Sequence, residues 1–418
     1  MQAVLDAIFR RLITIGRMDV VWPDGSQTVY AGQDGPVSTL RLHDQRTIRR
    51  LVLNPSLGLG EAYMSGGLSV ENGSIYNLLD LMIAGTEGSP NSHPMLKLRG
   101  RLAAIGRRVA QYNPAGRSRR NVAHHYDLNG RLYSLFLDRD RQYSCAYFPH
   151  GDETLEEAQA AKKRHIAAKL CLNRPDLRVL DIGCGWGGMA LTLARDFGAQ
   201  VTGITLSQEQ LTEARARAEA EGLQHRVKFE LLDYRAIRES FDRVVSVGMF
   251  EHVGIGHYRA FFDTVAGCLA PDGVALIHAI GRSDGPGSTN AWMRKYIFPG
   301  GYAPALSEVL PGVERSGLMA TDLEILRLHY AETLRHWRRR FAANRDAITA
   351  LYDERFCRMF EFYLAGSEIT FRRSGHMVWQ LQLAHQHGMV PLTRDYIAQV
   401  EAGEPVGPMA EATSSLRR

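Results

Sequence analysis

The spacing of hydrophobic positions changes near residue 177. From there on, short runs rich in Val, Ile and Leu alternate with stretches whose apolar residues recur every three or four positions. The strand-like runs are LRVLDIG, AQVTGIT, VKFELLD, FDRVVSVG and GVALIHAIG, and the helical stretches include GGMALTLARDFG and SQEQLTEARARAEAEG. Such alternation predicts a doubly wound α/β fold, in which helices cover both faces of a mostly parallel sheet.

Residues 1–84 follow another pattern and are predicted to form a small α+β domain. The first segment, MQAVLDAIFRRLITIGRM, carries Asp6, Arg10 and Arg11 within its apolar stripe, which indicates an amphipathic helix rather than a signal peptide. DVVWPDGSQTVYAG then predicts a hairpin and TLRLHD a strand. DQRTIRRLVLN and NLLDLMIAG are typical of short helices.

Amino-acid composition indicates the bounds of a linker and of a C-terminal tail. Residues 85–120 begin with turn residues and continue with eight Lys or Arg residues and no acid between positions 97 and 120, which indicates a basic linker. Residues 121–395 remain as a second, larger domain, and residues 396–418 are assigned to a polar tail. No apolar run approaches the roughly 20 residues that a membrane-spanning helix needs, so a cytoplasmic protein is expected.

The net charge of +5 is unevenly distributed. Besides the linker, RHWRRRF at 335–341 and FRRSGH from 371 are basic. These patches are either solvated surface or a contact with an anionic partner, and because no nucleic-acid-binding motif accompanies them, a membrane surface is favoured over nucleic acid. The five scattered cysteines contain no C-x-x-C pair, which argues against a disulfide framework and against a structural metal site.

The segment DIGCGWGG follows the first strand of the alternating region and opens a helix. Gly183, Gly185 and Gly187 allow a tight turn and a close approach to a ligand. Gly183, Gly185 and Gly188 also satisfy the dinucleotide pattern G-x-G-x-x-G, so the loop alone does not identify its ligand.

The residues at the ends of the neighbouring predicted strands distinguish a dinucleotide from S-adenosylmethionine as the ligand of this loop. A dinucleotide site needs an acid about 20 residues after the loop, and the chain reads GITLSQ there, with no acid before Glu209. Asp181, just before the first glycine, and the pair Asp233 and Tyr234 after the third strand favour S-adenosylmethionine over NAD.

Several motifs together resemble the cyclopropane-fatty-acyl-phospholipid synthases and the related mycolic acid cyclopropane synthases. The resemblance covers about 121–395 and is carried by HHYDL, YSCAYF, VLDIGCGWGG, GITLSQEQ, SVGMFEHVG, KYIFPGG and HYAETLRHW, and LGEAYMSGGL is similar to the family's N-terminal lipid-associated domain. It implies a class I S-adenosylmethionine-dependent methyltransferase fold. It also implies, as the reaction, methyl transfer to a cis double bond of a membrane phospholipid acyl chain, followed by closure of a cyclopropane ring.

The resemblance also implies the residues of the site. The cofactor contacts map onto Tyr143, Ser144, Gly183, Gly185, Gly187, Thr205, Leu206, Gln210, Tyr234 and Arg235. A bound bicarbonate ion, the weak base that removes the proton, maps onto the side chains of Glu251, His278 and Tyr330 and onto backbone groups of Cys145 and Ile280.

The chemistry places its own demands on the pocket. Methyl transfer to an alkene leaves a carbocation, so the pocket must be dry and free of strong nucleophiles. Aromatic faces stabilise a cation, and Trp292, Tyr296 and Phe298 are candidates for this role. The thiol of Cys145 is expected to fill space only.

Three other functions stay open at this point. The same cation can lose another proton or be reduced, which gives a methylene or methyl-branched fatty acid without a ring. The second is a small-molecule N-methyltransferase, which the N-terminal domain disfavours. The third is a non-catalytic lipid-binding protein, which the glycine loop disfavours. The resemblance further implies unsaturated phospholipids as partners, peripheral association with the inner face of the membrane, and a homodimer.

Overall fold

The computed structural model describes residues 1–85 and 130–404. The described chain forms two compact units, one made of residues 1–85, 288–299 and 331–375, and the other of residues 130–287, 300–330 and 376–404. The predicted basic linker, apart from Gly85, lies outside the described residues.

The first unit contains a four-stranded sheet with the order β2-β1-β3-β4. β1 and β2 form the antiparallel hairpin expected from the sequence, whereas β3 runs parallel to β1 and β4 antiparallel to β3. The strands are β1 (Ile15–Val21), β2 (Gln27–Ala31), β3 (Gln33–Leu42) and β4 (Leu68–Asn72).

The helices of the first unit come from distant parts of the chain. They are Gln2–Leu12, Gln45–Leu53, Pro55–Met64, Ile75–Ala84, Ala291–Tyr296, His329–Ala343 from its third residue onward, Arg345–Leu351 and Glu354–Arg373. Asp44 caps the second of them by accepting a hydrogen bond from the Thr47 amide at 2.6 Å.

The predicted domain boundary differs from this division, because the sequence pattern assigns 288–299 and 331–375 to the catalytic domain. The apolar face of Glu354–Arg373 places Ala365 and Ile369 in one core with Met18 and Leu78. Trp292, a predicted candidate for the lining of the reaction pocket, is instead a buried core residue whose indole nitrogen lies 3.3 Å from the Met64 sulfur.

The second unit confirms the doubly wound, mostly parallel sheet. Its seven strands have the order β10-β11-β9-β8-β5-β6-β7. β9, β8, β5, β6 and β7 are parallel, and β11 runs antiparallel to both β9 and β10. The strands are β5 (Arg178–Ile182), β6 (Gln200–Thr205), β7 (Val227–Leu231), β8 (Phe241–Val247), β9 (Leu269–Arg282), β10 (Met319–Ile325) and β11 (His376–Ala384).

Helices cover both faces of this sheet. Successive residues of a strand point to opposite faces, and accordingly Val179 packs in a cluster with Leu193, whereas Leu180 packs in another with Phe261. The helices are Gly130–Phe136, Leu155–Lys169, Gly188–Phe197, Gln208–Ala220, Tyr258–Cys268, Leu306–Glu314 and Asp395–Glu401.

The C-terminal segment corrects the predicted polar tail of residues 396–418. Helix Asp395–Glu401 buries Tyr396, Ile397 and Val400 in one cluster with Ala168. Three apolar residues three or four positions apart form one face of a helix even in a polar sequence, and amino-acid composition does not show this spacing. Residues 405–418 lie outside the described part of the chain. In the described part, no helix has both the length and the apolar character that crossing a bilayer requires.

Candidate active site

A cavity opens at the carboxyl ends of β5, β6 and β8, where parallel α/β sheets bind ligands. Ten of the eleven residues predicted to contact the cofactor line it. They are Tyr143, Ser144, Asp181, Gly183, Gly185, Thr205, Leu206, Gln210, Tyr234 and Arg235. The structure therefore brings together residues from several separated segments of the chain.

The glycine loop approaches this cavity with a left-handed backbone. Gly185 has φ +56°, and a Cβ atom added there would have no described protein atom within 4 Å. Gly187 has φ +86° but is absent from the described lining, and a Cβ atom there would lie 2.6 Å from the Phe229 ring. Gly187 thus packs closely against Phe229 at the start of helix Gly188–Phe197, and its predicted contact with the cofactor stays a prediction.

The end of β6 presents hydroxyl and amide groups. The Thr205 hydroxyl donates to the Gln210 side-chain oxygen at 2.8 Å, and both residues are buried. The neighbouring Glu209 accepts a hydrogen bond from the Trp186 indole at 3.1 Å. Among the described residues, no acid from this strand end lines the cavity, so the ribose-binding acid of a dinucleotide site is missing there.

The far wall of the cavity follows β7. The Asp233 carboxylate accepts two hydrogen bonds from Arg235, at 2.8 and 2.6 Å. This pairing holds the guanidinium 5.4 Å from the centre of the Tyr234 ring. Burial raises the pKa of Tyr234 to about 12, so its phenol stays protonated.

Asp181 supplies a buried carboxyl group to the cavity. It is 1% exposed, and its Oδ2 has no hydrogen-bond partner in the described residues. Burial raises the pKa of Asp181 to about 7, although the Lys162 ammonium opposes this shift. A buried carboxyl oxygen suits a ligand that donates hydrogen bonds or carries positive charge, and S-adenosylmethionine does both.

A second group of predicted site residues, Glu251, His278 and Ile280, lies around the ends of β8 and β9. The Ile280 amide donates to Glu251 Oε1 at 2.6 Å, while Glu251 Oε2 has no partner in the described part of the chain. Burial raises the pKa of Glu251 to about 7. The backbone of Ile280, which is predicted to contact an anion, thus donates its amide hydrogen to Glu251.

His278 stands two residues before Ile280 on the same strand and so points to the same face. Its Nδ1 lies 3.1 Å from the Gln380 amide nitrogen, which donates, so the hydrogen of the neutral ring is on Nε2. Burial lowers the pKa of His278 well below its ordinary value, so the ring is neutral.

Cys145 and Tyr330, both buried, lie on two segments that contact each other. The Tyr147 ring stacks on His329 at 5.0 Å, and the Phe148 amide donates to His329 Nδ1 at 3.0 Å. The Cys145 thiol donates to the Ala146 carbonyl at 3.2 Å, which fits the prediction that it fills space.

Sequence reasoning missed Lys162, which has no exposed surface. Its ammonium donates to Gln142 and Ser144 in the segment that lines the cavity, and it is close enough to lower the pKa of His278. The signal was the spacing of Leu155, Ala158, Lys162 and Ile166, which places the lysine on the buried face of its helix.

Comparison with known proteins agrees with this geometry. Residues 114–381 match the family described as mycolic acid cyclopropane synthetase, and residues 4–92 match a domain of unknown function. The chain belongs to the mycolic acid cyclopropane synthetase family. The predicted enzyme class, an S-adenosylmethionine-dependent methyltransferase, is confirmed.

Curated relatives extend over most of the chain. The cyclopropane-fatty-acyl-phospholipid synthase of Escherichia coli K12 is 38% identical over 342 residues, which cover 82% of this chain and 86% of that protein. The tuberculostearic acid methyltransferase UfaA1 of Mycobacterium tuberculosis is 35% identical over 399 residues, covering 92% and 91%.

Solved structures resemble about two thirds of the chain. The cyclopropane synthase MmaA2 of Mycobacterium tuberculosis is 32% identical, with a TM-score of 0.61 over 65% of this chain and 99% of that chain. The mycolic acid cyclopropane synthase CmaA1, solved in complex with SAH and CTAB, gives the same TM-score, identity and coverage.

Proposed function

We propose that the protein transfers the methyl group of S-adenosylmethionine to a cis double bond of a phospholipid acyl chain and closes a cyclopropane ring with the help of bound bicarbonate. The observation that carries this proposal is the carboxyl group of Glu251, which the Ile280 amide holds through one oxygen and whose second oxygen is buried with no described partner.

The cavity residues have two tasks in this reaction. The cofactor supplies an activated methyl group, and Asp181, Tyr143, Ser144 and the glycine loop would hold it. An alkene is a weak nucleophile, so the rate depends on how firmly these residues fix the geometry of approach. The half-buried ring of Tyr143 and the buried Asp181 also limit the access of water to the carbocation that forms on the lipid.

The second group of residues suits a small anion. With a pKa raised to about 7, Glu251 carries a proton for part of the time at neutral pH and then donates a hydrogen bond. The neutral His278 offers its Nε2 hydrogen, since Nδ1 accepts from Gln380. Two donors support the binding of bicarbonate, which accepts the proton released from the new methyl group.

A second candidate product is a methyl-branched or methylene fatty acid. The relatives support it, because they include the tuberculostearic acid methyltransferase and a probable fatty acid methyltransferase of Pseudomonas putida, 40% identical over 286 residues. The two outcomes share methyl transfer and differ only in the fate of the carbocation.

Mass spectrometry of the lipid product tests the proposal. Purified protein with S-adenosylmethionine and vesicles of a mono-unsaturated phospholipid should add the mass of one CH2 group and leave no alkene that ozone cleaves. A product of the same mass that ozone still cleaves indicates a methylene group, and two further hydrogens indicate a saturated methyl branch. Either result would replace ring closure with the second candidate.

We further propose that the protein works as a homodimer peripherally bound to the inner face of the membrane. The family resemblance supports the dimer, and helix Gln2–Leu12 supports membrane binding. Met1, just before this helix, and Val4 and Ile8 on it are 53%, 50% and 42% exposed, and Arg11 continues the same face.

Vesicle sedimentation is expected to show binding that increases with anionic lipid, by about 1 kcal/mol per basic residue near the surface, and decreases with salt. Replacing Val4 and Ile8 by Ser should weaken this binding. Leu392→Ser is the matched control, since Leu392 is 94% exposed in the other unit. Equal binding to neutral and anionic vesicles at all salt concentrations would contradict the proposal.

A further inference from the structure

Lys162 carries a charge at a position without any exposed surface. Its Nζ donates hydrogen bonds to Gln142 Oε1 at 2.6 Å and to Ser144 Oγ at 3.0 Å. Burial lowers the pKa of Lys162 to about 8, against the opposing effect of Asp138, so the amine is charged at neutral pH. A buried charge is retained only where its hydrogen bonds are made, and both described partners belong to the cavity wall.

The same helix also holds the main chain of this wall. The Gln159 side-chain nitrogen donates to the carbonyl oxygens of Gln142 at 3.2 Å and of Ser144 at 3.0 Å. The Gln142 side-chain nitrogen donates to Asp140 Oδ2 at 3.0 Å, which fixes the orientation of that amide. Residues 142–144 are therefore tied to helix Leu155–Lys169 through both backbone and side chains.

The direction of the bond to Ser144 has a chemical consequence. An ammonium group has donors and no acceptor, so the Ser144 oxygen must accept. The hydroxyl hydrogen of Ser144 is then directed away from Lys162, and Ser144 lines the cavity. Without the lysine, that hydroxyl would be free to turn and donate elsewhere.

We propose that Lys162 is a positioning residue that fixes the Ser144 hydroxyl as a hydrogen-bond donor to an oxygen acceptor of the bound cofactor. This inference rests on the proposed placement of S-adenosylmethionine in the cavity. It assigns the buried ammonium no direct contact with the cofactor, and its effect passes through Ser144.

A double-mutant cycle on binding of S-adenosylhomocysteine, measured by calorimetry, tests this coupling. Lys162→Met and Ser144→Ala should each weaken affinity by about tenfold, equivalent to ~1.4 kcal/mol. Both substitutions remove the same interaction with the ligand. The double variant should therefore have about the same affinity as the single variant that binds less tightly. The role of Lys162 would be overturned if the folded Lys162→Met protein bound with wild-type affinity. It would also be overturned if the fold-loss of affinity in the double variant equalled the product of the two single fold-losses.

Lys169→Met is the matched control. Lys169 is equally buried on the same helix, but its ammonium pairs with Glu324 on β10. It should keep near-normal affinity, and a tenfold loss there would show that removing any buried charge from this helix has the same effect, which also overturns the proposal.

Three further outcomes have defined consequences. If Lys162→Met does not fold, undiminished affinity in Ser144→Ala still overturns the proposal, because it removes the step through which Lys162 acts. If the wild-type protein itself does not bind S-adenosylhomocysteine, the cofactor placement fails and this proposal fails with it. Loss of ring closure with intact cofactor binding would affect the proposed reaction and leave the role of Lys162 standing.

Discussion

Gly185→Val is expected to reduce the affinity for S-adenosylhomocysteine by roughly a hundredfold or more, equivalent to about 3 kcal/mol, while the protein remains folded. The backbone at Gly185 has φ +56°, and a Cβ atom there would enter the open cavity instead of meeting described protein atoms. The valine side chain therefore occupies space that the ligand needs. Calorimetry with the purified variant measures the loss directly.

Gly222→Val separates this steric effect from backbone strain. Gly222 has φ +68° and likewise has no described atom within 4 Å of a Cβ atom, but it lies at the exposed turn after helix Gln208–Ala220. Both variants should lose about 1–2 kcal/mol of stability, because a left-handed conformation disfavours any residue with a side chain. Wild-type affinity in Gly185→Val, or an equal loss in Gly222→Val, would contradict the placement of the ligand.

Much of the site could be predicted because it depends on local sequence and on one rule of topology. The alternating runs predicted the parallel strands, and the carboxyl ends of neighbouring parallel strands meet at one edge of the sheet. Asp181, Thr205 and Tyr234 each lie at or just after the end of a different strand, and they line one cavity as expected. The identification of the ligand needed the combination of motifs, since the glycine loop also fits a dinucleotide.

Other features depend on contacts between distant residues, which a periodic pattern does not encode. The face of helix Glu354–Arg373 that packs in one core with Met18 and Leu78 looks in sequence like any amphipathic face, and so the predicted domain boundary differs from the division into two compact units. The sequence likewise does not reveal that Phe229 packs against Gly187. The hydrogen bond from the Ile280 amide to Glu251 could not be predicted either, because it joins residues that are distant in sequence.

The expected effect of Glu251→Ala is a fall in turnover by about 10²- to 10⁴-fold, the usual contribution of a positioned acid–base group. Affinity for S-adenosylhomocysteine should change by less than about threefold, equivalent to under ~0.7 kcal/mol, because Glu251 is not among the described residues that line the cavity. Steady-state kinetics of the lipid product and calorimetry on the same preparation measure the two quantities. A parallel loss of both would assign Glu251 to the cofactor, and normal turnover at ambient bicarbonate would remove it from the reaction.

Glu251→Gln is the matched variant, since its amide oxygen still accepts from Ile280 and its amide nitrogen still donates, but it does not titrate. In the wild type, burial raises the pKa of Glu251 to about 7 from 4.5, so the folded state favours the protonated form. Its contribution to stability is therefore full below about pH 4.5 and is lost as the pH rises through 7. Bicarbonate affinity should fall over the same range, because ionised Glu251 repels an anion. The glutamine variant should show neither change near pH 7, and a wild-type dependence preserved in that variant would assign the titration to another group.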